Sequence, residues 1–293
     1  MNTYKMCFLI LHYNVIDETM NCIASIKKLV DTDNYAIVVV DNGSPNGTGI
    51  QLKEHFCEDN RVTVLLSETN LGFARGNNIG FQYCKNQLKA DFICALNNDT
   101  EMIQDDFCEI VYHNYEESHF AVMGPLICLP NNDFYKVEYR IPTRKTVIYD
   151  LYKQRLLVIL NYFFIRNMIM FFLDRRHDRK VRNKEFDPGI FKVHKGILLN
   201  GCCLVFSPEY IKNFDGFNDR TFMYREEEFL FFQCQAKSLK MIYNPNLKIL
   251  HYEDASTNQA FKKSRKKNQF FYKHSINSLK EILKYLDEQQ DRK

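Results

Sequence analysis

From residue 6 to residue 128, short apolar runs alternate with helical patterns, the signature of βαβ units around a mostly parallel sheet. One apolar run beginning near Cys7 ends in Ile10-Leu11-His12-Tyr13-Asn14. A second, residues 37–40, runs straight into Asp41-Asn42-Gly43-Ser44, and a third, residues 92–96, closes on Asn97-Asn98-Asp99. The spacing of Cys22, Ile23, Ile26 and Leu29 predicts a helix over 17–30 with these residues on one face, and a second helix is expected after Gly47. Residues 62–66 read as the third strand. A third helix is expected from about Gly76 to Leu88, which places Asn77 and Asn78 at its amino end, where free backbone donors face an anion. Further on, residues 202–206 read as a strand, and 241–243 and 247–250 as two short ones separated by a turn at Asn244-Pro245-Asn246.

In an open α/β sheet, ligands sit outside the carboxyl ends of the strands, so the three polar clusters converge on one crevice with the geometry of a nucleotide site. A triplet ending in Asp99 at a strand tip suits a metal-bound diphosphate. Taken singly, Asp41-Asn42-Gly43 also reads as a plain turn.

The segment from about 136 to 193 breaks the pattern. Residues 149–173 are rich in Leu, Ile, Phe, Tyr and Met and lead into a basic run over 174–184, but Asn161, Arg166 and Asn167 interrupt what a spanning helix requires. The expectation is a helix lying against the bilayer surface, its basic run on anionic headgroups; the other reading is a helical insertion packed on the body, with the run as a solvated face or subunit contact. From Phe261 on, a basic run precedes a helical pattern through Ile276, Leu279, Ile282, Leu283 and Leu286. This tail reads equally as a clamp on the body, a membrane contact or a homodimer contact. With no repeat or flexible linker, the organisation is one domain over 4–257 carrying the insertion, followed by a basic helical tail over 258–293.

A chain of 293 residues buries a sizeable core, and 39 basic against 36 acidic residues leave a net charge of +3, so no global field argues for nucleic acid. Ten cysteines scattered through hydrophobic runs, without a Cys-x-x-Cys pair, point to buried thiols in a reducing compartment. The opening residues show no signal-peptide pattern, so the expected location is cytoplasmic, peripheral on the inner face of the membrane.

Tyr13-Asn14, residues 40–44, Asn70-Leu71-Gly72-Phe73-Ala74-Arg75-Gly76-Asn77-Asn78-Ile79-Gly80 and Leu96-Asn97-Asn98-Asp99-Thr100 resemble, in sequence and order, the family 2 glycosyltransferases of GT-A fold, with bacterial rhamnosyltransferase-like members nearest in look. The likeness continues through residues 214–219, Met223-Tyr224-Arg225-Glu226-Glu227 and 251–256. It implies a mixed, mostly parallel central sheet flanked by helices. It also implies donor contacts from Asn14, Asp41, Arg75, Asn78 and Asn97, and a divalent cation, Mg²⁺ or Mn²⁺, held by Asp99 with His251 completing the sphere.

Glu226-Glu227 stands where the family carries its acidic pair, which assigns Glu227 as the general base, with Glu226 or Glu228 as alternates. Gly216 would let backbone approach the acceptor sugar. The chain departs from the family pattern at Asn97, Arg75, Phe229, Gln233 and Ser238, and in carrying Glu at 227 instead of Asp.

The implied activity is inverting transfer of a sugar from a nucleotide-diphosphate donor, a UDP-sugar or dTDP-rhamnose, to a hydroxyl of a surface polysaccharide or lipid-linked glycan. A catalytically silent nucleotide-sugar-binding partner is the alternative. A nicotinamide oxidoreductase does not fit, because no Gly-x-Gly-x-x-Gly follows the first strand.

Overall fold

The computed structural model describes residues 4–162, 187–252 and 264–291. The first half contains β1 (Met6–His12), α1 (Ile16–Leu29), β2 (Tyr35–Asp41), α2 (Thr48–His55), β3 (Val62–Leu66), α3 (Phe73–Asn86), β4 (Phe92–Asn97), β5 (Thr100–Met102), α4 (Phe107–Ser118) and β6 (Val122–Cys128). α5 (Arg144–Tyr162), a 3₁₀ turn (Pro188–Phe191), β7 (His194–Lys195), β8 (Cys203–Phe206), α6 (Pro208–Asn213), α7 (Glu226–Ala236), β9 (Met241–His251) and α8 (Ser264–Gln290) follow.

The strands form one mixed sheet in the order β3-β2-β1-β4-β8-β6-β9-β5, with β7 on β9. β3, β2, β1 and β4 are parallel, while β8 runs antiparallel to β4 and β6. The apolar runs are nearly continuous because helices cover both faces. Cys7, Leu9, Val38 and Val40 pack on one side and Phe8, Ile10, Ile37 and Val39 on the other. Register matters for the site. His12 lies opposite Asp41 and Leu11 opposite Asn97, so β1, β2 and β4 end at one level and their polar sequels share one edge.

Two expectations change. α3 starts at Phe73, not Gly76, because Gly72 takes φ +83° and turns the chain so that the Phe73 N–H donates to the Phe222 carbonyl at 2.7 Å. The amino end is thereby capped by another loop. Asn77 sits inside the helix, donating to the Phe73 carbonyl at 3.0 Å, and an open anion site at Asn77 and Asn78 is not what the fold builds.

Asn244-Pro245-Asn246 is no turn either, since β9 runs through it. Proline cannot donate to the ladder, so pairing with β6 jumps from Pro125–Asn244 to Leu126–Lys248. The Asn244 side chain accepts the Asn246 N–H at 3.0 Å across the irregularity.

The tail packs on the body. α8 lies along α5 and α7, and the Arg144 guanidinium meets the Asp287 carboxylate at 3.1 Å. The described part of the insertion is α5, which buries Val147, Leu151, Gln154 and Asn161 and leaves Tyr149, Tyr152, Leu156 and Ile159 exposed. The basic run over 174–184, the start of the tail's basic run at Lys262 and Lys263, and residues 253–256 lie outside the described residues. Among the described residues, no helix is long and apolar enough to cross a membrane. Eight of the ten cysteines are buried free thiols, with Cys57 exposed and Cys128 half-buried.

Candidate active site

A cavity of about 890 Å³ opens beyond the carboxyl edge of the sheet. Leu11, Tyr13, Asn42 and Asn70 line it from the β1–β2 side, Asn97, Asn98, Asp99, Gly201 and Cys202 from the β4–β8 middle, and Ile127 and Tyr243 from the β6–β9 side. Glu226, Glu227 and Glu228 enter from the start of α7, and His251 from the end of β9. Asp99 and Glu227 therefore face one space. Buried Cys202 registers both: its thiol is pushed up chiefly by burial, then by Cys203, and by the Asp99 and Glu227 carboxylates alike.

The Asp99–His251 pair is a product of sheet register. β5 pairs antiparallel with β9, setting Thr100 opposite His251, and the Tyr252 N–H donates to the Asp99 carbonyl at 3.0 Å. His251 Nε2 then lies 3.2 Å from Asp99 Oδ1. Among the described residues, neither buried ring nitrogen of His251 makes a hydrogen bond.

Asp99 Oδ1 and His251 Nε2, about 3 Å apart, would match one edge of an octahedral Mg²⁺ or Mn²⁺ sphere. Among the described residues, no group of three or more His, Cys, Asp or Glu side chains gathers to hold a metal. The pair thus fits a cation that takes its other oxygens from diphosphate and water.

The acidic run is held by strained backbone. Tyr224 and Arg225 both take positive φ, +70° and +75°, immediately before the helix. Such conformations persist only where surroundings impose them. Here the Ser278 hydroxyl donates to the Met223 carbonyl at 3.1 Å, and Arg225 reaches Ser275 Oγ at 3.2 Å, both on α8. Arg225 also pairs with Glu228 at 2.5 Å and with Asp150 of α5 at 3.5 Å. Insertion and tail thus meet on the residue that precedes the acidic pair.

Glu226 is buried and accepts the Thr221 hydroxyl at 3.1 Å. Burial, and then the Glu227 charge, push its carboxyl up to about 8. Glu227 is half-buried on the cavity wall, accepts the Gly201 N–H, and is pushed up to about 7 by burial and then by Glu228. A side chain at 201 would put its Cβ 2.7 Å from Glu227 Oε1, so glycine there makes room for the carboxylate.

Several residues expected at the donor or acceptor have partners within the chain. Asn78 grips the Phe217 backbone at both ends of its amide, accepting the N–H at 2.7 Å and donating to the carbonyl at 2.9 Å. Gly216 sits behind that clamp with φ +139°, where a Cβ would fall 2.3 Å from Asn78 Oδ1. Arg75 Nε donates to the Asp219 carbonyl at 3.0 Å. Asp41 accepts the Ser44 hydroxyl, and the Asn14 N–H donates to that same Ser44 oxygen at 2.9 Å. Asn14, Asp41, Arg75, Asn78 and Gly216 are not among the residues lining the cavity, whereas Asn97, Asp99, Glu226, Glu227 and His251 are.

Sequence reasoning passed over Asn42, which turns inward. Its amide accepts the Leu71 N–H at 2.9 Å and donates to the Gly72 carbonyl at 3.1 Å, fixing the loop that leads into α3. Its place between Asp41 and Gly43 is the signal that marks it. Phe270 and Phe271 also line the cavity, and nothing in their spacing marks them, while Arg225 stands in the 223–227 motif without any sign there of its partners on α5 and α8.

The mixed sheet and its flanking helices match solved structures of GT-A nucleotide-sugar transferase fold. The model of glycosyl transferase family 2 matches residues 7–178, more than half of the chain, and the chain belongs to that family. It is similar to the low-salt glycan biosynthesis hexosyltransferase Agl10 of Haloferax volcanii, 25% identical over 122 residues that cover 42% of this chain and 36% of the relative. It is also similar to glycosyltransferase GlyG of Streptococcus pneumoniae, 27% identical over 135 residues that cover 40% and 43%. The matched stretches span less than half the length of these curated relatives.

Among solved structures, GalNAc-T7 with UDP, GalNAc and Mn²⁺ superposes with a TM-score of 0.58 at 14% identity, covering 86% of this chain and 44% of the other. TarS 1-349 of S. aureus gives 0.53 at 13% identity, covering 87% and 62%. These likenesses concern the fold.

Proposed function

We propose that the protein is an inverting, divalent-cation-dependent glycosyltransferase that moves a sugar from a UDP-sugar or dTDP-rhamnose to a hydroxyl of a surface polysaccharide or lipid-linked glycan. The observation that carries this reading is the shared cavity of Asp99, His251 and Glu227. Asp99 and His251 would hold Mg²⁺ or Mn²⁺, which supplies positive charge to the diphosphate as it leaves. Asn97, beside them, offers an amide to the donor sugar or the diphosphate.

Glu227 takes the proton of the acceptor hydroxyl as that oxygen attacks the anomeric carbon from the side opposite the diphosphate, so one displacement inverts the configuration. An affinity near neutral suits the task, because a base works best when its pKa lies close to the working pH. The Gly201 N–H fixes the orientation of the carboxylate.

The outward apolar face of α5, with Tyr149, Tyr152, Leu156 and Ile159 exposed, supports peripheral contact with the inner face of a membrane, which would bring the site to a lipid-linked acceptor.

A thermal-stability screen of UDP- and dTDP-sugars with and without Mn²⁺ or Mg²⁺ tests the reading, beginning with UDP-sugars because the GalNAc-T7 neighbour was solved with UDP. Metal-dependent stabilisation by one donor class, followed by its slow hydrolysis, is expected. Binding without hydrolysis or transfer would leave the silent partner standing. Transfer at near wild-type rate by Glu227→Gln would remove Glu227 as base.

A further inference from the structure

We propose that the C-terminal helix α8 completes the acceptor subsite, and that Phe270 and Phe271, with Tyr224, form a surface on which a pyranose ring of the acceptor stacks. The inference rests on the glycosyltransferase reading and names a part of the site outside the 7–178 family match.

Of the aromatic side chains that line the cavity, four gather at the loop before α7 and at α8: Phe222 and Tyr224 from the loop, Phe270 and Phe271 from the helix. They form one continuous cluster. The Tyr224 ring lies 4.8 Å from Phe271 and 6.3 Å from Phe270, edge to face. Phe270 is 4.4 Å from the His274 ring, which is 4.8 Å from Phe222. The positive φ of Tyr224 and the contacts of Ser275 and Ser278 with the loop anchor this cluster beside the acidic run.

Chemistry selects the occupant. The base must touch the acceptor hydroxyl, so the ring bearing that hydroxyl sits within a sugar's width of Glu227, where Tyr224 is only three residues away in the chain. A pyranose presents a C–H face that suits an aromatic surface and hydroxyl edges that donate hydrogen bonds. Glu226, Glu227 and Glu228 on the same cavity are acceptors for such edges. A hydrocarbon chain laid there would strip water from the half-buried Glu227 carboxylate and offer it no hydrogen bond in exchange.

Saturation-transfer NMR on the full chain, irradiating protein aromatic protons, tests this with methyl glycosides of glucose, galactose, rhamnose and N-acetylglucosamine as probes. At least one should receive saturation on its ring protons. Phe271→Leu or Phe270→Leu should cut that transfer and weaken binding about five- to tenfold, Phe271→Tyr should retain it, and calorimetric binding of UDP with Mn²⁺ should stay unchanged in all three.

Absence of transfer to every glycoside, equal transfer to Phe271→Leu, or parallel loss of UDP binding overturns the proposal. If glycosides bind as stated but no nucleotide or nucleotide sugar does, the enzyme reading fails and the aromatic surface stands alone.

Discussion

Asp99 and His251 face each other at 3.2 Å, Oδ1 to Nε2, because β5 and β9 pair antiparallel with Thr100 opposite His251. Neither imidazole nitrogen is engaged in a hydrogen bond among the described residues, so removing the ring should leave few native interactions broken. His251→Ala is expected to unfold at nearly the wild-type temperature without ligand. It should also lose most of the extra stability that UDP and Mn²⁺ confer, about 2.7 kcal/mol for a ligand at a hundred times its Kd. Differential scanning fluorimetry with a metal titration decides it; an undiminished Mn²⁺-dependent rise would take His251 out of the metal site.

The acidic pair makes a prediction about pH. Glu227 is raised to about 7; as the proposed base it would have to be deprotonated to act, so turnover should fall as pH drops through about 7. Glu228 is the second cause of that rise, after burial. Glu228→Gln removes a neighbouring negative charge and frees Arg225 to favour the Glu227 carboxylate, so the acidic limb of kcat against pH should move to lower pH. A limb that stays in place would detach the profile from Glu227.

Stability carries the opposite sign. Glu226 and Glu227 bind protons more tightly folded, at about 8 and 7, than at their ordinary 4.5, so the folded state holds more protons between these values. Their contribution to stability is full below 4.5 and is lost as pH rises through 7 to 8. The double variant Glu226→Gln, Glu227→Gln should therefore flatten the fall in urea midpoint between pH 5 and 8 that the wild type shows; a fall of equal steepness would mean that other groups are responsible for it.

Asn78 is a clamp in this structure. Asn78→Ala breaks both of its hydrogen bonds to Phe217 and leaves two backbone groups without partners, costing about 2–6 kcal/mol, at 1–3 kcal/mol for each group. Gly216→Ala drives a Cβ into the Asn78 amide at φ +139° and should destabilise to a similar degree. Urea denaturation gives both values. Calorimetry separates the roles, because the affinity of folded Asn78→Ala for UDP and Mn²⁺ should stay within about threefold of wild type. A loss of a hundredfold or more would restore Asn78 as a diphosphate contact.

Arg225 joins three parts of the chain, pairing with Glu228, Asp150 of α5 and Ser275 of α8. Arg225→Met strands two carboxylates around it, with an expected cost of about 3–5 kcal/mol. It should also raise the acidic limb of the pH profile, since the Arg225 charge lowers the Glu227 carboxyl. Asp150→Asn in the same background should recover part of the stability. Full activity with an unshifted profile would show that the hub does not reach the base.

How far the amino-acid order can be followed depends on the element. The apolar runs that form β1, β2 and β4 are long and bounded by polar clusters, so the strands and their common edge are legible in the residue pattern alone. The start of α3 is not, because Gly72 begins the helix only through the Phe222 carbonyl, a partner supplied by a distant loop. Asn244-Pro245-Asn246 carries every mark of a turn, yet neighbouring β6 and β5 hold β9 extended through it. Asn78 looks like a phosphate ligand in its motif, and its motif does not show that both ends of its amide bond the Phe217 backbone.

The chain alone determined the α/β class of fold and the clustering of polar residues at strand ends, which follow from local hydrophobic period and residue type, and its resemblance to family 2 glycosyltransferases set Asp99 and Glu227 in an ordered series of motifs. Only the tertiary structure decided which of those residues share a cavity, that His251 meets Asp99, and that the tail brings Phe270 and Phe271 to the acidic run. Pairing register, loop docking and helix packing join positions distant in the chain, and no local pattern encodes which surfaces they will bring together.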